Sequence, residues 1–213
     1  GSGMLREDLG MLPPGDIRNC IMSLANTEPT MQKLLNYRFT EGSLAGQSFG
    51  NLFLAAMNGI SGSFDEAVHR MGDVLAITGR VLPVTNQNVH LEAEFDNGSR
   101  CLGESKIFYA KKLNDCRIRK IRLVPEHPQP LPDALEAIAD ADVIVLGPGS
   151  LYTSIIPNFL VDGISEAVSR AQALKCYVLN IMTQDGETDG YTAADHIKAI
   201  FAHAGEDVMD VCI

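Results

Sequence analysis

The feature that most constrains the fold is a pair of short apolar runs, residues 142–146 and 176–180, each followed by a polar loop and then by a helical pattern. Strands of a parallel sheet are covered on both faces and therefore read as continuous apolar runs, and helices connect them. Ligands bind such open sheets outside the carboxyl ends of the strands. We therefore predict an α/β protein with a mostly parallel sheet, whose loops after these two runs carry the function.

The middle of the chain has a different period. Apolar and polar residues alternate along residues 89–95, and Asp-Asn-Gly at residues 96–98 is typical of a hairpin turn. We interpret residues 79–123 as a β-rich insert within one domain that spans residues 1–213. Earlier in the chain, Asp16 is predicted to be the N-cap of a helix, and residues 63–66 have the pattern of a capping box.

Charge and composition narrow the classes of ligand and location. The 17 Lys and Arg against 27 Asp and Glu give a net charge of −10, which argues against nucleic-acid binding because that requires basic patches. Binding of a single nucleotide is compatible with this charge, since backbone N–H groups can hold its phosphates. No apolar run approaches the ~20 residues that cross a bilayer, and no signal-peptide core is present. We predict a cytoplasmic protein without membrane insertion, whose five scattered cysteines are reduced thiols.

The loop after the first apolar run is rich in glycine and hydroxyl groups. Gly147 and Gly149 allow backbone N–H groups to approach phosphate oxygens, and the hydroxyls of Ser150 and Thr153 add donors. The loop is not the Rossmann fingerprint and no Walker lysine follows it, so a plain strand-to-helix turn is the alternative.

The loop after the second run, residues 180–192, is far more polar than a connection requires. Eight of its thirteen residues carry hydrogen-bonding or ionisable side chains other than Tyr, among them Asn180, Thr183, Glu187 and Thr188. Such a loop is suited to a ribose, a sugar or a metal, and the alternative is a solvated loop with an N-cap at its end. The five histidines lack metal-ligand spacing, so we assign no metal to the side chains.

Two further groups of polar residues lie in the first third of the chain. Asp16, Arg18 and Asn19 stand at a predicted helix start, where Arg18 offers a forked donor to phosphate or carboxylate. Asn51 follows a glycine at the entrance of an apolar helix. For the first group, a capping Asp beside a surface arginine is the more common alternative. For the second, glycine for close packing and Asn51 as a cap is an equally good alternative.

Four motifs in this order carry a resemblance: residues 13–20, 49–51, 147–154 and 180–192. Together they resemble the bacterial gluconeogenesis factor family, relatives of the archaeal 2-phospho-L-lactate transferase, over nearly the whole chain. The resemblance implies a three-layer Rossmann-like fold with a nucleotide site at the strand ends. It implies a guanosine diphosphate-linked lactyl donor and a deazaflavin acceptor for the transferases. For the gluconeogenesis factors it implies UDP-glucose or UDP-N-acetylglucosamine and a role in cell-wall shape during gluconeogenic growth.

The chain departs from that family in two respects. Family members usually begin with a strand and a phosphate loop, followed by an Asp-Asp-Gly-Gly-Ser segment. This chain starts at about the end of that segment, with residues 2–6 matching its continuation, and the family commonly extends beyond the carboxyl end. We therefore expect part of the phosphate site to lie outside the chain. Gln47 stands where the family has His, so no proton transfer is assigned to it.

The resemblance leads to a prediction of a UDP-sugar-binding factor that affects gluconeogenic growth and cell-wall morphogenesis, and that is compatible with a homo-oligomer. No catalytic residue is assigned. A transferase-like enzyme with a GDP-linked donor and Mg²⁺, and a pure interaction scaffold, are the alternatives. The predicted ligand-binding residues are Asp16, Arg18, Asn19, Asn51, Gly147, Gly149, Ser150, Thr153, Asn180, Thr183, Glu187 and Thr188.

Overall fold

The computed structural model describes residue 5, residues 9–114 and residues 116–213, and the chain divides into two compact units, Gly1–Asn86 and Gln87–Ile213. Residues 2–4 and 6, which belong to the segment compared at the amino terminus, lie outside the described residues. Among the described helices, none has the length and apolar character needed to cross a membrane.

The first unit is built from helices. Its elements are α1 (Gly15–Leu24), α2 (Pro29–Asn36), a 3-10 turn (Gly42–Leu44), α3 (Phe49–Ile60) and α4 (Phe64–Val74). The apolar faces of these helices share one core, in which the most deeply buried side chains include Ile21, Leu35, Leu54, Val68 and Met71. Burial of these side chains is the main stabilising contribution available to a helical unit of this size.

The predicted cap of α1 is wrong by two residues. The helix begins at Gly15 with Pro14 at the N-cap. Asp16 therefore lies in the first turn, where its negative charge interacts favourably with the positive end of the helix dipole. The capping box of α4 is half formed. Ser63 accepts from the backbone N–H of Glu66 at 3.4 Å, but the Glu66 carboxylate accepts from Gly62 at 2.7 Å rather than from Ser63.

The second unit contains an antiparallel sheet of three strands, β1 (His90–Phe95), β2 (Arg100–Leu102) and β3 (Ile118–Val124), in the order β2-β1-β3. Ala93 pairs with Cys101 on one side and Ile121 on the other, so the predicted hairpin is confirmed.

The helix α5 (Glu104–Asn114) interrupts the insert between β2 and β3 and was not predicted. Within residues 104–110 only Ile107 is buried, so this segment lacks the apolar stripe by which a sequence reveals a helix.

A parallel sheet follows, with strands β4 (Val143–Leu146), β5 (Leu174–Tyr177) and β6 (Val211–Cys212) in that order. The remaining elements are α6 (Pro132–Ala139), a π-helical segment (Leu151–Ile155), α7 (Ile156–Phe159), α8 (Ile164–Arg170), α9 (Ala193–Ala204) and a 3-10 turn (Glu206–Val208). The strand predicted at residues 176–180 begins and ends earlier. Its ladder nevertheless continues past the strand, because the N–H of Val178 donates to the carbonyl of Leu146 at 2.9 Å.

In the described residues the fold is therefore mixed α/β, with two small sheets of which one is parallel. The predicted parallel pairing of the two apolar runs is confirmed by β4 and β5. The three-layer Rossmann-like arrangement and a single domain over residues 1–213 stay predictions.

Gly50 is expected to be essential for packing in the first unit. A Cβ at this position would lie 2.7 Å from both Cδ of Arg18 and the carbonyl oxygen of Leu35. Gly50→Ala should therefore lower the free energy of unfolding by about 1–3 kcal/mol, as overpacking does, measured by urea denaturation.

Gly59→Ala, on the same helix α3, is the matched control because a Cβ there meets no described atom within 4 Å. It should raise the free energy of unfolding by about 0.5–1 kcal/mol, since glycine inside a helix is less favourable than alanine. Equal effects of the two substitutions would show that the close approach at Gly50 is unimportant.

Candidate functional site

The loops after β4 and β5 are joined by one side chain in the second unit. The Asn180 carboxamide accepts from the N–H of Gly149 at 3.1 Å and donates to the carbonyl oxygen of Gly149 at 2.7 Å. Both predicted loops are therefore held in one arrangement at the carboxyl edge of the parallel sheet.

Gly147 is required by the backbone where the first loop leaves β4. Its φ is +74°, in the left-handed region that favours glycine, and a Cβ would lie 3.2 Å from the carbonyl oxygen of Val178. The glycine therefore allows the two loops to approach closely, whatever further role it has.

A second hydrogen bond joins the loops through Ser150, whose hydroxyl donates to Oε1 of Gln184 at 2.8 Å. Gln184 also organises its own loop, because its N–H donates to the Thr188 hydroxyl at 2.9 Å and its carbonyl accepts from the N–H of Thr188 at 2.9 Å. Gln184 was missed by the sequence analysis. Thr188 is 1% exposed, so its side chain shapes the loop from inside.

Glu187 is 3% exposed and has an unexpected position for a predicted ligand-binding residue. Its carboxylate faces the hydroxyl of Thr153 and the backbone N–H groups of Leu151, Tyr152 and Thr153, although neither oxygen completes a hydrogen bond of standard geometry. Burial raises the pKa of this carboxyl, and the facing hydroxyl and N–H dipoles offset part of that effect. The amino end of the 151–155 segment is thus already matched with a carboxylate of the protein itself.

Aromatic side chains connect the same two loops to α9. The hydroxyls of Tyr152 and Tyr191 are hydrogen-bonded at 2.8 Å, and the Tyr177 hydroxyl lies 3.0 Å from Nδ1 of His196. Burial raises the pKa of Tyr177 to about 12 and lowers the pKa of His196, so both groups are uncharged near neutral pH. Sequence analysis missed this set, although tyrosines within two otherwise polar loops were a usable signal.

The outer part of the second loop is open to solvent. Ile181 and Met182, which follow Asn180, are fully exposed and 80% exposed, and Thr183 is also exposed. Apolar side chains beside polar loop residues are typical of small-molecule sites, where the apolar surface contacts a ring.

In the first unit, Arg18 lies among the predicted residues. Arg18 donates from Nη1 to the Ser48 hydroxyl at 3.3 Å and from Nη2 to Oδ1 of Asn19 at 2.5 Å. Ser48 is the N-cap of α3 and accepts from the N–H of Asn51 at 3.2 Å, while Asp16 is exposed. The structure therefore brings Arg18, Asn19 and Asn51 around the start of α3.

In the described part of the chain, no three His, Cys, Asp or Glu side chains are grouped closely enough to hold a metal ion.

A glycine-rich loop and a polar loop at the ends of adjacent parallel strands define the class of α/β proteins whose ligand sites lie at strand ends. A family model described as 2-phospho-L-lactate transferase CofD matches residues 1–213. A relative from Thermoanaerobacterium thermosulfurigenes that carries the gluconeogenesis factor name is 61% identical over 203 residues. The gluconeogenesis factor of Bacillus subtilis is 48% identical over 214 residues. The chain belongs to the CofD family, and these relatives within it carry the gluconeogenesis factor name.

A solved structure agrees with this assignment. The crystal structure of a member of the UPF0052 family from Bacillus halodurans has a TM-score of 0.95 at 46% identity over 99% of this chain. The chain spans 67% of that crystallised chain. The two curated relatives match 95% and 100% of this chain, which in turn spans 63% and 66% of their lengths. Any activity of these longer relatives is therefore a proposal for this chain.

The Asn180 contact predicts a stability effect. Asn180→Ala leaves the N–H and carbonyl of Gly149 without their partner, and should lower the free energy of unfolding by about 1–3 kcal/mol. Hydrogen exchange of the Gly149 amide should become faster. Asn36→Ala, which removes an exposed carboxamide with one backbone contact, should change stability by less than about 0.5 kcal/mol. Unchanged exchange at Gly149 in Asn180→Ala would contradict the contact.

Glu187 predicts a pH dependence of stability. Because its folded-state pKa is raised above the ordinary 4.5, the native state binds the proton more tightly than the unfolded chain, and stability falls as pH rises through the interval between these two values. Glu187→Gln should remove this loss, so the wild-type and variant melting curves should diverge with rising pH. Glu206→Gln, which removes an exposed carboxyl of the same unit, is the matched control. Parallel profiles for Glu187→Gln and wild type would refute the prediction.

Proposed function

We propose that the chain is the ligand-binding part of a cytoplasmic gluconeogenesis factor that binds a UDP-sugar and thereby affects gluconeogenic growth and cell-wall morphogenesis. The observation that carries the proposal is the two-way hydrogen bond between Asn180 and Gly149, which fixes two polar loops at the carboxyl edge of a parallel sheet. A site fixed before binding loses less conformational entropy when the ligand arrives. The names of the relatives supply the gluconeogenic context.

The proposed contacts in this site are of two kinds, polar contacts to the diphosphate and apolar contacts to the nucleobase. Gly147 and Gly149 allow close approach of the diphosphate, and Ser150 and Asn180 supply polar groups beside it. The exposed apolar surface of Ile181 and Met182 is suited to the flat face of the nucleobase, since each apolar Å² removed from water contributes roughly 25 cal/mol.

The family model's description favours one alternative, a transferase-like enzyme with a GDP-linked donor. Its diphosphate leaving group would occupy the same strand-end loops, with Mg²⁺ neutralising the charge. The two proposals differ in the base they require and in the need for a metal ion.

A panel of ligands distinguishes them through the melting temperature. UDP-glucose and UDP-N-acetylglucosamine should raise it, by the equivalent of roughly 2.7 kcal/mol at a hundredfold excess over Kd, whereas GDP with Mg²⁺ should not. Stabilisation by GDP and Mg²⁺ alone would favour the transferase. No stabilisation by any nucleotide would favour an interaction scaffold.

A pair of substitutions tests the loop directly. A Cβ at Gly149 would make ordinary contacts of 3.6 Å and 3.7 Å, with Ser154 and Ile155, so Gly149→Ala should fold and retain UDP-sugar binding. Gly149→Asp places an anion beside the diphosphate and should abolish binding without unfolding the protein. Equal UDP-glucose affinities of the two variants in isothermal titration calorimetry would exclude this loop as the diphosphate site.

A further inference from the structure

Arg18 and Arg38 carry two positive charges in the first unit that no carboxylate neutralises among the residues that the structure describes. Their hydrogen-bond partners are neutral, namely Ser48 and Asn19 for Arg18, and the carbonyl oxygen of Gly46, at 2.6 Å, for Arg38. Elsewhere in the described part of the chain, several arginines have a carboxylate oxygen at 2.5–3.6 Å, namely Arg70, Arg100, Arg119, Arg122 and Arg170.

The two arginines meet at Ser48, because Arg18 donates to the Ser48 hydroxyl and the backbone of Arg38 pairs with that of Ser48 in an isolated antiparallel bridge. Burial, followed by Coulomb repulsion from Arg38, lowers the pKa of Arg18. Nε of Arg18 is buried and donates no hydrogen bond within the described part of the chain. A buried donor without an acceptor and a pair of like charges are both destabilising, and a bound anion would relieve both.

The surroundings hold Arg18 in place. Gly50 has no side chain, so the Arg18 stem lies directly on the first turn of the 12-residue helix α3. Gln47 and Ser48 are 2% and 1% exposed beside it. The amino end of a helix carries partial positive charge, which adds to the charge of the two guanidinium groups.

We propose that Arg18 and Arg38 form a binding site for a phosphoryl oxyanion at the amino end of α3. Two guanidinium groups match the charge of a phosphate, which is between −1 and −2 near neutral pH, and each presents a fork of N–H donors that fits phosphate oxygens. The site consists of residues of the first unit alone and does not depend on UDP-sugar binding by the strand-end loops.

The test is to titrate the full chain with inorganic phosphate at low ionic strength and to measure binding by isothermal titration calorimetry. Arg38 is exposed, so Arg38→Gln should fold as the wild type does, and it should weaken phosphate binding by about tenfold or more. Arg80→Gln is the matched control, because Arg80 is an exposed arginine of the same unit and its substitution removes the same charge. It should leave phosphate affinity within about twofold of the wild type. Melting temperatures verify that all three proteins are folded.

Equal phosphate affinity of Arg38→Gln and Arg80→Gln would overturn the proposal, as would a wild-type chain that shows no saturable phosphate binding. The Arg18→Lys variant provides a second test. It keeps the charge but loses the forked donor, and its phosphate affinity should fall between those of the wild type and Arg38→Gln.

Competition identifies the source of the phosphoryl group. If UDP displaces phosphate, and Arg38→Gln weakens UDP as well, the site takes the phosphates of a nucleotide. If phosphate binds equally well with UDP present, the site takes the free ion. Phosphate binding that is lost in Arg38→Gln, in a protein that binds no UDP-sugar, would refute the proposed function and leave this site established.

Discussion

The candidate site in the second unit depends on the carboxamide of Asn180, which satisfies both backbone groups of Gly149. A carboxamide offers a donor and an acceptor on neighbouring atoms, whereas an ionised Asp offers acceptors alone and cannot replace both bonds. Gly147 adds the close approach that lets the loops meet, since a Cβ there would lie 3.2 Å from the Val178 carbonyl. The two loops therefore cannot move independently, and a ligand at this edge meets a surface whose shape is already set.

Glu187 changes how an anion can be held at this edge. The N–H groups of residues 151–153 face its carboxylate, and the N–H of Gly149 already donates to Asn180. A diphosphate here would compete with an internal carboxylate for the same dipoles, and the two negative charges would repel each other. Backbone N–H groups are therefore less suited to hold a ligand here than side chains such as Ser150, which a ligand can reach because glycine permits a close approach.

Local sequence patterns predicted which strands and turns form better than they predicted where the elements begin and end. The two apolar runs predicted parallel strands and the Asp-Asn-Gly turn predicted the hairpin, because both signals depend on neighbouring residues. The helix α5 was missed because burial at Ile107 alone leaves no periodic stripe. The burial of Glu187 and the contact of Ser150 with Gln184 could not be predicted, since both are set by how two loops meet across many residues of chain. Continuous apolar runs also suggested strands covered on both faces, yet Val145 of β4 is 56% exposed.

Net charge is a poor guide to anion binding in such a chain. At physiological ionic strength charges are screened beyond about 8 Å, so an overall charge of −10 acts weakly on a phosphate held within contact distance. Local composition decides instead, and Arg18 and Arg38 have neutral partners while Arg70, in the same unit, pairs with Glu66 at 2.6 Å. An arginine with a carboxylate partner gains little from an added anion. An arginine that repels its neighbour and holds a buried, unpartnered Nε gains a great deal, which is why the start of α3 rather than the wider surface is the place to seek a bound phosphoryl group.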